Sequence, residues 1–229
     1  MRAPVSIIIP SLNAANVLPG CLAALGPGLQ AGLIREVAIA DGGSGDGTAA
    51  IAEAAGAEWV EGAPGRGGQL RRGAEAAQGE WLLFLHADSW LDEDWAEAVL
   101  AHLRDHSGQA GYFTLRFRAK GAEARMVAGW ANLRSRVFGL PYGDQGLLIS
   151  RALYDRVGGF ADIPLMEDVA MARALKGRMR ALGCGIETGA ERYLAEGWVW
   201  RGARNLWTLA RYFCGVAPER LVKGYQKGG

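Results

Sequence analysis

The chain has 229 residues and a net charge of +1, with half its residues hydrophobic and 21% charged. That is the balance of a globular protein long enough to bury a sizeable core, and it leaves no global positive field to recruit nucleic acid. The three cysteines, Cys21, Cys184 and Cys214, are far apart and form no CxxC pair, which argues against a disulfide framework or zinc site and for a reducing compartment.

No apolar run reaches the roughly 18 residues of a membrane span. The run Val5–Ile9 is stopped by Pro10 and has no signal-peptide pattern. The expected location is the cytoplasm, with peripheral contact at the inner membrane only if a surface docks there.

Val5–Ile9 reads as a strand covered on both faces. Ala15–Leu25 reads as a helix, Glu36–Ala40 as a second strand, Gly47–Ala55 as an alanine-rich helix and Ala57–Val60 as a short third strand. Gly67–Ala77 is a third helix and Trp81–Leu85 a fourth, deeply buried strand. Strands alternating with helices imply right-handed crossovers and a mainly parallel sheet. Ligands of such sheets bind beyond the carboxyl ends of the strands. Three strands end there in polar segments: Pro10–Asn13, Asp41–Ser44 and His86–Ser89.

A helix over Asp92–His106 follows. Tyr112–Arg118 alternates and reads as a half-exposed strand. Ala122–Phe138 is a basic amphipathic helix, Gly146–Ser150 a strand and Glu167–Leu175 a helix, and Trp198–Gly215 is rich in tryptophan. With no linker or repeat between them, the halves read as a single domain over 1–229: a nucleotide half to about residue 106 and an acceptor half from about 107, ending in a helical segment. His102 and His106 lack the glutamate of a metalloprotease helix and read as surface or helix-end residues.

Four segments carry candidate chemistry. Asp41-Gly-Gly-Ser-Gly-Asp-Gly-Thr48 closes a strand and opens a helix, without the lysine of a phosphate-binding loop. Asp41 could accept hydrogen bonds from a base or ribose, or the segment is a plain turn capped by Asp46. In Gly65-Arg66-Gly67-Gly68-Gln69-Leu70-Arg71-Arg72, arginines beside a helix N-terminus suit a diphosphate, although short arginine clusters are more often a solvated face. Asp88, at the end of a buried strand, could hold a hard cation through oxygen or simply cap the next helix. Glu167 and Asp168 open a helix whose dipole favours negative charge, and one of them could take a proton from an acceptor hydroxyl.

Taken in order, Ile-Ile-Pro10-Ser-Leu-Asn13, Asp41 to Thr48, Gly79 to Asp88, Gly158-Gly-Phe160 and Glu167-Asp168 resemble family-2 glycosyltransferases over about the whole chain. The chain is similar to a small bacterial subgroup marked by His86-Ala-Asp88, Gly143-Asp144-Gln145 and Ile163 to Asp168. The resemblance implies a GT-A α/β fold, a nucleotide-diphosphate sugar as donor partner, and inversion at the anomeric carbon. It also implies that Pro10, Leu12, Asn13 and Asp41 hold the nucleoside, with Arg66 and Arg71 at the phosphates. Asp88 then belongs to the DxD motif that binds Mn2+ or Mg2+, and Asp168 is the catalytic base beside Glu167.

His86 stands where that motif has its first acid, and an imidazole is a poorer ligand for Mg2+ than for Mn2+. No QxxRW motif is present, which argues against processive polymer synthesis. A nucleotidyltransferase, or a nucleotide-sugar-binding relative without activity, are the competing readings. The tryptophans and arginines of 198–211 fit either a lipid interface near a lipid-linked acceptor or a helix packed on the acceptor half or in a homodimer.

Overall fold

The computed structural model describes residues 3–225, with side chains through Val222. The chain runs β1 (Val5–Ser11), α1 (Leu18–Ala23), α2 (Gly26–Gln30), β2 (Ile34–Asp41), α3 (Thr48–Ala54), β3 (Glu58–Glu61), α4 (Arg66–Ala76) and β4 (Trp81–Phe84). It continues with β5 (Trp90–Leu91), α5 (Trp95–Asp105), β6 (Ala110–Phe117), α6 (Ala122–Phe138), a 3-10 turn (Gly143–Gln145), β7 (Leu147–Ser150) and α7 (Arg151–Arg156). It closes with α8 (Glu167–Ala174), β8 (Met179–Thr188), α9 (Glu191–Glu196), α10 (Trp198–Phe213) and α11 (Pro218–Tyr225).

One sheet passes through both halves in the order β3-β2-β1-β4-β7-β6-β8-β5. Its first four strands are parallel. β7 enters antiparallel to β4 and β6, while β8 lies parallel to β6. This is the α/β architecture of the GT-A fold.

Hydrophobic patterning explains the centre. Every residue from Val5 to Ile9 is fully buried, because the two faces of β1 serve different cores. Val5, Ile7 and Ile9 pack in the cluster with Leu18, Trp95 and Val99, whereas Ile8 joins Leu70, Leu153 and Met171 on the other side. Burial of such a side chain contributes about 1.5–3 kcal/mol.

Several expectations needed correction. The helix expected over Ala15–Leu25 is shorter, with α1 starting at Leu18 and Pro19 in its first turn, where a missing N–H costs nothing. β6 is not half-exposed. It lies between β7 and β8 under α6, so Tyr112, Phe113 and Leu115 are all buried and only Arg116 is exposed. α2, β5, β8, α7, α9 and α11 went unforeseen. In β8, Gly183 adopts a positive φ of 86° beside a register shift against β6, which breaks the alternation that marks a strand. His102 lies in the last turn of α5 but is buried, edge-on to Trp81, with Nε2 donating to the Gln109 carbonyl at 2.9 Å.

Candidate active site

The carboxyl ends of β1 and β4 open, with the 3-10 turn, the start of α8, the end of β8 and the inner face of α10, onto one cleft of about 600 Å³. Pro10, Leu12, Asn13, Arg66, His86 and Asp88 line it, and so do Glu167 and Asp168. Asp41 and Arg71 do not.

Asp41 is buried at the end of β2 and accepts hydrogen bonds from Ser11 Oγ (2.8 Å), Gly43 N–H (2.7 Å), Ser44 N–H (2.6 Å) and Ser44 Oγ (2.6 Å). Burial opposes its charge, but bonds from Ser44, Ser11 and Gly43 outweigh it and hold the pKa below the usual carboxylate value. Its carboxylate therefore shapes the loop that borders the cleft. Asn13, at a left-handed φ of 51°, stitches the first loop to the second. Its N–H donates to Ser44 Oγ at 2.8 Å and its Oδ1 accepts from Gly45 N–H at 2.9 Å.

Gln69, which sequence reasoning passed over, ties three segments together. Its buried Nε2 donates to the carbonyls of Ser11 (2.6 Å) and Ala40 (2.9 Å), and Oε1 accepts from Gly65 N–H (3.3 Å). The neighbouring glycines serve packing: a Cβ on Gly67 would lie 2.2 Å from the Ala161 carbonyl. That approach brings Arg66, the first residue of α4, within 3.4 Å of Glu167. Arg71 instead points to solvent and pairs with Glu75 at 3.3 Å.

Glu167 is 2% exposed. Burial and the adjacent Asp168 charge raise its pKa, against the pull of Arg66. Asp168 accepts from Gly143 N–H at 2.9 Å through Oδ2 and from Val169 N–H at 2.7 Å through Oδ1. The residue before this pair, Met166, sits at φ 69°, a strained conformation of the kind found at functional sites.

His86 packs against Gly143, where an added Cβ would lie 2.6 Å from Nε2. Burial, helped by Arg66 and resisted by Asp88, pushes its pKa down to about 3, so the ring is neutral at physiological pH. Asp88 Oδ2 accepts from Thr188 Oγ1 (3.1 Å) and Gly189 N–H (3.2 Å), two contacts made at the end of the strand that patterning missed.

The turn Gly143–Gln145 divides its labour. Gln145 is buried, bonded to Ser135 Oγ and, at 3.1 Å, to the Phe113 carbonyl. That anchor presents Asp144 to the cleft. Burial is the main cause raising the Asp144 pKa to about 6. Arg134 opposes the rise, and the charges of Asp168 and Asp88 add to it. Its Oδ1 and the nearby Tyr142 hydroxyl are shielded from solvent and make no hydrogen bond.

Among the described residues no group of three or more His, Cys, Asp or Glu side chains is arranged as a metal site. Asp88 and His86 provide one oxygen-bearing and one nitrogen-bearing side chain, so a hard cation would need further oxygens from phosphate and water. Asp144, with Oδ1 unbonded, lines the same cleft as Asp88 and Asp168, and these three carboxylates are an acidic set that such a cation would offset. The residues thus fit a cation shared with a diphosphate.

The chain is similar to several known proteins. The PGL/p-HBAD biosynthesis glycosyltransferase of Mycobacterium bovis (strain BCG / Pasteur 1173P2) is 38% identical over 122 residues, covering 46% of this chain and 44% of that protein. The chain therefore spans less than half the length of that curated relative. S. aureus TarS 1-349 superimposes with a TM-score of 0.61 at 16% identity, over 88% of this chain and 63% of that one. Glucosyl-3-phosphoglycerate synthase from Mycobacterium tuberculosis, solved with Mn2+, UDP and glucosyl-3-phosphoglycerate, has a TM-score of 0.57 at 21% identity, over 81% of this chain and 70% of its own. The model of the family described as "Glycosyl transferase family 2" matches residues 6–158, from β1 to the turn after α7, and by the extent of that match the chain belongs to this family.

Proposed function

We propose that the chain transfers a sugar, with inversion, from a nucleoside-diphosphate sugar to an acceptor hydroxyl. The observation that carries this reading is the convergence in one cleft of Asp88, Asp144 and Asp168 with Arg66, a mixed set of charges suited to a diphosphate and to proton removal. Asp168 serves as the base. Its two backbone N–H bonds fix its orientation, whereas Glu167 is buried and committed to Arg66.

The acceptor proton passes to Asp168 as the hydroxyl oxygen attacks the anomeric carbon. The bond from that carbon to the diphosphate breaks, and the nucleoside diphosphate leaves. Pro10, Leu12 and Asn13 border the nucleoside, and Arg66 meets the phosphates. Asp88, with His86 beside it, would hold Mn2+ or Mg2+, which supplies charge neutralisation at the departing diphosphate. Arg71, outside the cleft lining, takes no part.

Thermal stabilisation by UDP, GDP, dTDP and CMP, with and without Mn2+, tests binding. UDP comes first because TarS and the phosphoglycerate synthase were solved with it. A ligand at about 100 times its Kd adds about 2.7 kcal/mol. Turnover then separates the competing readings. Asp168→Asn should cut transfer by about 10²–10⁴-fold while leaving nucleotide stabilisation intact. Binding without turnover in the unmodified chain points to an inactive relative, and synthesis of the nucleotide sugar from a nucleoside triphosphate points to a nucleotidyltransferase.

A further inference from the structure

Among the described residues, ten of the fifteen exposed large hydrophobics lie on two helices, α6 and α10, which pack against each other. On α6 they are Met126, Trp130, Leu133 and Val137, spaced along one outward stripe, and Phe138 beside its end. On α10 they are Val199, Trp200, Leu206, Trp207 and Phe213, with the exposed Ala203 and Ala210 filling the same stripe. The inner faces of both helices are already satisfied: Ala124 of α6 and Trp198 of α10 share a buried cluster with Phe117. Packing within the chain therefore leaves the outer stripes bare. Folded monomers rarely leave apolar surface concentrated in this way without a partner for it.

The bordering charges identify the partner. Arg125 and Arg136 are exposed beside the α6 stripe, and Arg211 lies one turn beyond Trp207 on α10. α10 carries no acid; of its three arginines, Arg201 and Arg204 turn inward to Glu196 and Arg211 borders the outer stripe. On α6, Arg134 is buried over Tyr142, and Arg125 and Arg136 stand outside with Glu123 as the helix's one acid. A two-fold dimer through this face would set arginine-bearing stripes against their own copies, with few acids to pair them. An anionic lipid surface complements both features: arginines meet headgroup phosphates, and tryptophans sit at the interface between headgroups and acyl chains. At 16 residues and three arginines, α10 fits lying in that interface rather than crossing the bilayer. We propose that the outer face of α6 and α10 docks on a membrane rich in anionic lipid. Arg201, Asn205 and Thr208 on the other side of α10 line the cleft, so a single helix would join the membrane to the active site. The docking surface is independent of whether the cleft transfers a sugar.

Flotation of the full chain with vesicles tests it, comparing phosphatidylcholine alone with phosphatidylcholine plus phosphatidylglycerol. Co-flotation with the anionic vesicles, weakened by salt, is expected. Trp200 and Trp207 are 76% and 66% exposed, so the double variant Trp200→Glu/Trp207→Glu should keep its thermal midpoint and its response to nucleotide while losing binding by about tenfold or more. Arg125→Ser/Arg136→Ser should weaken binding about tenfold or more. Three results overturn the proposal: no co-flotation with anionic vesicles, co-flotation that the double tryptophan variant leaves unchanged, or a sedimentation dimer that this variant dissociates, which would assign the face to a second copy.

Discussion

The backbone N–H of Gly143 donates to Asp168 Oδ2 at 2.9 Å, so the carboxylate proposed as the base is aimed by a residue that has no side chain. The space a side chain would need is filled by His86, whose Nε2 would lie 2.6 Å from a Cβ on Gly143. Gly143→Ala should therefore push the turn away from His86 and break the bond to Asp168. Overpacking of this kind costs about 1–3 kcal/mol, and misplacing a reacting group by about 1 Å costs about 100-fold in rate. Steady-state kinetics should show the loss in kcat, with thermal stabilisation by nucleotide preserved. Unchanged kcat would remove Gly143 as the element that orients Asp168.

Asp144 should make stability depend on pH in an unusual direction. Its folded pKa of about 6 lies above the ordinary value of 3.8, so between these values the folded state binds more protons than the unfolded state. Stability from this group is fully present below about pH 4 and is lost as the pH rises through 6. Asp144→Asn should remove that loss and raise stability above pH 6 by about 1–3 kcal/mol, seen as a higher thermal midpoint at about pH 7.5 than the unmodified chain and little difference at about pH 4. Transfer activity should fall in the same variant if the carboxylate is needed in the cleft.

Asp41 should matter for the loop more than for direct contact. Asp41→Ala strips the acceptor from Ser11, Gly43 and Ser44, leaving the Ser11 hydroxyl buried without a partner. Unmaking charged, buried hydrogen bonds costs about 1.5–3 kcal/mol each in isolated cases. Chemical denaturation should show a loss of that order, together with weakened nucleotide binding. Because the pKa of Asp41 is lowered by folding, its contribution is present above the unfolded carboxylate value and disappears on acidification.

Asp88→Asn tests the metal. If Asp88 holds the cation with the diphosphate, Mn2+ should add to the stabilisation by nucleoside diphosphate in the unmodified chain and add nothing in the variant. The bonds from Thr188 and Gly189 to Oδ2 can be made equally to the amide oxygen of the variant side chain, so the fold should survive. A metal increment that persists in the variant would place the cation elsewhere.

The sequence by itself determined what short-range physics controls. The run Val5–Ile9 reads as a doubly covered strand, and the structure buries all of it in β1. The polar ends of the first and fourth strands meet in the cleft because parallel strands share one carboxyl edge. The helix of α6 spans the residues that its pattern marks, and α8 starts where its acids predict. Tertiary structure decided what depends on distant neighbours. β8, with two interior glycines and a bulge, is a strand because β6 and β5 pair with it, and no local alternation reveals that. The direction of α4 put Arg66 beside Glu167 and Arg71 in solvent, although both arginines belong to one helix. The carboxylate of Asp41 is spent on its own loop, and Asp144 is left with a bare oxygen, because desolvation and hydrogen bonding are sums over groups that only folding brings together.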